Sequence, residues 1–105
     1  MIIVETTIFT RRVTKLLKDD EYRLLQQALL LRPDLGPVKT GGGGIRKVRW
    51  KVQGSGKRGG ARVIYYWAVE QDTILMLFIF GKNERSDLTP AQIKMLRQIV
   101  EEEYP

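Results

Sequence analysis

Apolar positions along the chain fall into stretches with two different periods. Residues 2–5 form a short apolar start that reads as a strand. Ile8, Phe9, Val13, Leu16 and Leu17 then recur at helical spacing and predict a helix over residues 7–17. Asp19 is the expected N-cap of a second helix, with Asp20 and Glu21 in the first turn, where the helix dipole favours them. Leu24, Leu25, Ala28, Leu29 and Leu31 give this helix its apolar face, and Pro33 ends it. The stretch LRPDLGPVKTGGGG is loop by composition.

The period then shortens to two. In IRKVRWKV, residues 45–52, Val48, Trp50 and Val52 share one face while Lys47, Arg49 and Lys51 share the other. ARVIYYWAV, residues 61–69, has the β-branched and aromatic content of a strand. TILMLFIF, residues 73–80, is apolar on both faces and reads as a central strand covered on both sides. Glu70, Gln71 and Asp72 are short enough to form a hairpin turn. A final helix is announced by Thr89-Pro90-Ala91-Gln92, which places an N-cap, a proline at the first helical position and a capping-box glutamine in order. Ile93, Leu96 and Val100 supply its buried stripe. The expected order is β-α-α-β-β-β-α. It describes one α+β domain over residues 1–105, a small, mostly antiparallel sheet with helices packed on one face.

Charge adds a local feature to this outline. The net charge is +6, yet residues 35–69 hold no carboxylate and eight cations: Lys39, Arg46, Lys47, Arg49, Lys51, Lys57, Arg58 and Arg62. The rest of the chain has ten basic and twelve acidic residues, a net of −2. A field of one sign concentrated on one hairpin points to a polyanionic partner. The hairpin loop GSGKRGG, residues 54–60, superficially resembles a phosphate-cradling P-loop. That motif needs a glycine where this chain has Lys51 and a Ser or Thr where it has Arg58, so the loop is read instead as a charged hairpin tip.

The chain contains no histidine and no cysteine. Ser-His-Asp, Cys-His and HExxH chemistry therefore have no residues to run on, and no thiolate or imidazole metal site is expected. No cofactor is expected either. No apolar run reaches bilayer length and the N-terminus lacks a signal-peptide pattern, so the expected setting is cytoplasmic, with no membrane partner.

The segment GKNERSDLTPAQ, residues 81–92, directly after an apolar strand, resembles the RelE/ParE toxin superfamily, and most closely its HigB-type members. GSGKRGGARVIYYW and DDEYRLLQQALLLRPDLG are similar to the same family, so the resemblance covers nearly the whole chain. It implies the RelE-like fold and the toxin of a type II toxin–antitoxin pair. It also implies a ribosome-dependent endoribonuclease that cuts translated mRNA and is blocked by a helix-turn-helix, HigA-like antitoxin. By this resemblance Lys47 and Arg49 match the paired basic positions of the second strand, and Arg62 the arginine opening the third. Lys82 and Arg85 lie in the GK-x-ERS segment. These five are the expected catalytic positions, with Arg46, Lys51, Lys57, Arg58 and Asn83 expected to bind RNA or the ribosome.

RNA can be cut without a metal when its own 2′-hydroxyl attacks the adjacent phosphate. A lysine crowded by other cations can then serve as base, and arginine can fork onto the phosphate oxygens. Some RelE-like nucleases carry arginine at the place of Asn83 and a tyrosine acid near Thr89, which leaves the general acid open here. Tyr65 and Tyr66 are substitutes on this reading. Glu84 is read as a salt-bridge partner of Lys82 or Arg85, and Trp50 as core because it shares a face with Val48. Two alternatives remain on the sequence alone: a ParE-like DNA gyrase poison, and a nucleic-acid-binding module without catalysis.

Overall fold

In the computed structural model, which describes residues 1–51 and 60–105, the chain runs β1 (Ile2–Glu5), α1 (Thr7–Leu16), α2 (Asp19–Leu31), β2 (Arg46–Trp50), β3 (Ala61–Ala68), β4 (Thr73–Gly81) and α3 (Pro90–Glu103). The sheet order is β1-β4-β3-β2. β1 runs parallel to β4, whereas the β4–β3 and β3–β2 pairs are antiparallel. This is the expected α+β class and element order. The expected hairpin tip, with Lys57 and Arg58, and Val52 lie outside the described residues.

The helices form where the pattern places them, and their caps show why. Thr6 caps α1 by accepting from the Phe9 N–H. Thr89 caps α3 reciprocally with Gln92: each side-chain oxygen takes the other residue's backbone N–H. At α2 the expected cap moves by one residue. Lys18, not Asp19, holds the N-cap position, and an ammonium group cannot accept from a backbone donor. Glu21 instead reaches back to take the Lys18 N–H at 2.7 Å.

The expectation that all helices share one face of the sheet does not hold. One core cluster joins Phe9 and Val13 of α1 and Leu25 and Leu29 of α2 to Val48, Val63, Tyr65, Ile74 and Met76. A second joins Leu96 and Val100 of α3 to Ile64, Leu75, Leu77 and Phe80. Odd and even residues of β3 go to different clusters, so α1 and α2 cover one face and α3 the other. This arrangement is the reason β4 is apolar on both sides. β4 also carries one extra residue. Ile64 pairs with Phe78 and Tyr65 with Met76, leaving Leu77 as a bulge that puts Leu77 and Phe78 together on the α3 side.

β1 covers only the first half of the outer edge of β4. The start of α1 closes the rest. The Thr6 hydroxyl donates to the Leu77 carbonyl at 2.9 Å, and Arg12 Nε donates to the Ile79 carbonyl at 2.7 Å. Backbone acceptors that an open edge would leave to solvent are thereby satisfied.

Candidate nucleic-acid interface

β2 is the edge strand, and its alternation decides which charges meet. Val48 and Trp50 pack into the α1/α2 core, so Lys47 and Arg49 project on the α3 side. Across the ladder Arg49 stands opposite Arg62, and Arg62 opposite Phe80 of β4. One register step of two residues further on, about 7 Å along the strand, Lys47, Ile64 and Phe78 form the next row. Arg62 is 9% exposed and is held by surrounding contacts. The rows end beside Gly60, whose φ of +79° only glycine adopts without strain and whose added Cβ would lie 2.2 Å from the Trp50 carbonyl oxygen.

The residues after β4 complete this face. The Arg85 guanidinium lies 5.7 Å from the Phe78 ring centre and 5.9 Å from that of Phe80. It therefore spans the two aromatic ends of the rows that carry Lys47, Arg49 and Arg62. Its Nε is buried and has no hydrogen-bond partner among the described residues. Lys47, Arg49, Arg62 and Arg85 thus share one face at one end of the sheet. Three of the four come from positions where the backbone is fixed by ladder hydrogen bonds.

The structure also brings in a carboxylate. The sequence stretch around the cations contains none, but Asp87, in the turn between β4 and α3, folds over it. Asp87 Oδ2 meets Lys39 Nζ at 2.5 Å and Oδ1 meets Lys47 Nζ at 3.3 Å, while Oδ1 also accepts the Leu88 N–H at 2.7 Å. The Lys39 hydrogen bond, with help from Leu88 and Lys47, holds the Asp87 carboxyl down at about 2. The expectation of a lysine surrounded only by cations is corrected for Lys47: it has a carboxylate in hand.

The other expected positions scatter around this core. Arg46 lies on the opposite face from Lys47 and donates to the Gly36 carbonyl at 2.8 Å, fixing the loop after α2. That loop presses close on β2, since a Cβ at Gly36 would sit 2.7 Å from the Lys47 carbonyl oxygen. Lys51 is exposed just past the last paired residue of β2. Lys82 and Asn83 are exposed at the end of β4, where the Lys82 N–H donates to the Gly60 carbonyl at 3.3 Å. Asn83 borders a groove of about 410 Å³ between the α1–α2 turn and the strand ends.

Three residues read as candidate acids, bases or ion-pair partners are already engaged. The Tyr65 hydroxyl donates to the Pro33 carbonyl at 2.7 Å and accepts from the Gly36 N–H at 2.9 Å, and burial pushes its ionisation upward. Tyr66 stacks on Tyr104, which caps the end of α3, and lies several residues along β3 from Arg62. Glu84 binds Arg12 of α1, not Lys82 or Arg85 as the sequence suggested. It also accepts the Gly81 N–H at 3.0 Å, and this bond followed by the Arg12 pair lowers its pKa. Trp50 packs against the core as expected.

Asp87, Lys39 and Arg12 were absent from the expected site. Nothing periodic marks them, because each works through a partner 40 or more positions away in the chain. The usable signal was composition: Asp87 is the carboxylate nearest the capping Thr89, in the one segment tied to the end of β4. Among the described residues no three acidic, histidine or cysteine side chains gather as a metal site would require, and no helix is long and apolar enough to cross a membrane. Residues 1–104 match the family model described as the RelE toxin of the RelE/RelB toxin–antitoxin system.

Proposed function

The chain belongs to the RelE toxin family and is the toxin of a toxin–antitoxin system, and from that premise we propose that it is an endoribonuclease that cuts mRNA on the translating ribosome. The observation that carries the reading is the Arg49–Arg62 pair, opposed across two hydrogen-bonded strands with Lys47 and Arg85 on the same face. Like charges directly opposite on a ladder destabilise a sheet. An anion between them removes that penalty, and a phosphodiester is the anion that suits arginine forks.

The chemistry uses the RNA's own nucleophile, this face to hold the charge, and solvent to carry the protons. The 2′-oxygen forms a bond to the adjacent phosphorus while the bond to the 5′-oxygen breaks. Water takes the 2′-proton and a water proton goes to the departing 5′-oxygen, giving a 2′,3′-cyclic phosphate and a 5′-hydroxyl end. Charge accumulates on the non-bridging oxygens midway, and Arg62, rigid at its base, is placed to stabilise it. Arg49 and Lys47 orient the phosphate, and Arg85 adds to the field from the far side of Arg62. With Tyr65 and Glu84 engaged elsewhere, stabilisation of the charged intermediate is the main catalytic lever this face offers.

The antitoxin is the partner the family implies. We place this member with the HigB-like toxins, with a helix-turn-helix antitoxin, acting in the cytoplasm where ribosomes are found. The deciding experiment is to map mRNA ends after brief expression of the toxin. New 5′-hydroxyl ends inside translated reading frames are expected. Intact mRNA accompanied by gyrase-dependent DNA breaks would overturn the ribonuclease reading in favour of gyrase poisoning.

A further inference from the structure

Lys47, a cation of the proposed face, is tied to a carboxylate, and the tie is built from three separate parts of the chain. Lys39 comes from the loop after α2, Lys47 from β2, and Asp87 from the turn before α3. The Asp87 carboxylate also accepts the backbone N–H of Leu88, which fixes its direction. The two lysines are largely covered, with side chains 20% and 16% exposed, whereas Asp87 is 40% exposed. A buried anchor under a reachable carboxylate suits an anion that gives way to another anion.

We propose that Asp87 is an internal competitor for the phosphate backbone: it holds Lys47 until RNA arrives and is displaced from it as the substrate phosphate binds. The inference rests on the reading of this face as a phosphate site, and it adds a positioning residue that no part of that reading requires. Its geometry has a reason. Lys47 contacts Asp87 at 3.3 Å, the longer and weaker of the two ion pairs, while Lys39 holds the other oxygen at 2.5 Å. When a phosphate takes Lys47, Asp87 keeps Lys39 and Leu88, so the turn before α3 stays in place. Without this carboxylate, Lys47 would add an uncompensated charge to the row it shares with Arg49 and Arg62, at a cost in self-repulsion. Asp87 therefore relieves the resting state and, by the same interaction, weakens binding of any polyanion that the remaining cations cannot hold firmly.

The test uses the full-length protein and a short single-stranded oligonucleotide with 2′-deoxyribose, which binds without being cut. Affinity is measured by fluorescence anisotropy over a range of salt for the wild type, Asp87→Asn and Asp87→Glu. Asp87→Asn should bind about fivefold more tightly, the effect of removing one unit charge about 4 Å away in a water-like medium. Its log–log salt slope should stay near the wild type's, because Lys47 neutralises the same phosphate in both complexes. Asp87→Glu keeps the charge and should bind nearly as the wild type does. Equal or weaker binding by a folded Asp87→Asn protein overturns the competitor role, because a merely structural aspartate would lose affinity on substitution. Should that variant fail to fold, the wild type still decides: the carbon-13 resonance of the Asp87 carboxyl must move when the oligonucleotide saturates the protein, and an unchanged resonance in the saturated complex overturns the displacement. If the wild type shows no salt-dependent binding at all, the failure lies with the phosphate-face reading itself.

Discussion

Arg62 occupies a place where a side chain is hard to exchange, between Arg49 on one strand and Phe80 on the other and largely out of water. If it stabilises the charged intermediate, Arg62→Ala should lower mRNA cleavage by about 10²- to 10³-fold, the range for removing one preorganised donor. Arg62→Lys, which keeps the charge and loses the fork, should fall between that variant and the wild type while ribosome association changes little. Circular dichroism and antitoxin binding separate loss of chemistry from loss of fold. Tyr65 makes the opposite case. Tyr65→Phe leaves the buried Gly36 N–H and the Pro33 carbonyl without their partner and should destabilise the fold by about 1–3 kcal/mol. Cleavage per folded molecule should not change, and a urea titration run beside a cleavage assay checks both halves. Asp87 supplies a pH signature. Its folded value, about 2, lies below its ordinary 3.8, so its contribution to stability is complete above about pH 4 and is lost as the pH falls through 2. The stability gap between wild type and Asp87→Asn should therefore close between pH 4 and pH 2, as read from urea unfolding at stepped pH. A gap independent of pH would mean that the Asp87 charge is not what the fold uses.

At the scale of elements, α3 depends on its entry. Thr89 and Gln92 satisfy each other's backbone donors there, and Pro90 starts the helix without needing one of its own. Thr89→Ala should lower stability by about 1 kcal/mol, measurable by thermal unfolding. It should leave the basic face intact, because the ladder positions of Arg49 and Arg62 do not depend on the cap. These elements were also the most legible in the sequence. Capping residues, the 3.6 and 2.0 periods and the glycine-rich loop are local signals, and the helix and strand bounds read from them lie within one or two residues of those observed. Two things were not local. Residues 73–80 were read correctly as apolar on both faces, but only the structure showed that α3 supplies the second cover. The bulge at Leu77 is invisible to any strict alternation, since it arises from the pairing with β3. In the same way the row of Lys47, Arg49 and Arg62 was legible from alternation plus a hairpin, whereas Asp87 reached the site only by long-range folding.

For the molecule as a whole, the positive charge is concentrated in residues 35–69 while the remainder is slightly acidic, and the fold brings Lys47, Arg49 and Arg62 of that stretch onto one face. Such an arrangement makes stability and function pull in opposite directions. Arg49 is the position where the two can be separated. Its backbone is fixed in the β2–β3 ladder, its side chain is exposed, and it faces Arg62 directly. Replacing it with glutamate turns a repulsive cross-strand pair into an attractive one, a change worth roughly 0.2–1 kcal/mol. For a domain of this size that corresponds to a rise in Tm of up to a few degrees. The same substitution removes one phosphate contact and places a negative charge beside the others, so RNA binding should weaken and its dependence on salt should flatten. Association should slow more than dissociation quickens at low ionic strength, because the concentrated field steers the encounter. A more stable Arg49→Glu protein with impaired cleavage is the expected result, read from paired thermal unfolding and cleavage assays. Loss of both stability and activity would mean that Arg49 supports the sheet and that its charge is incidental. Gain of stability with full cleavage would remove Arg49 from the phosphate site and leave Arg62 and Arg85 to hold the substrate between them.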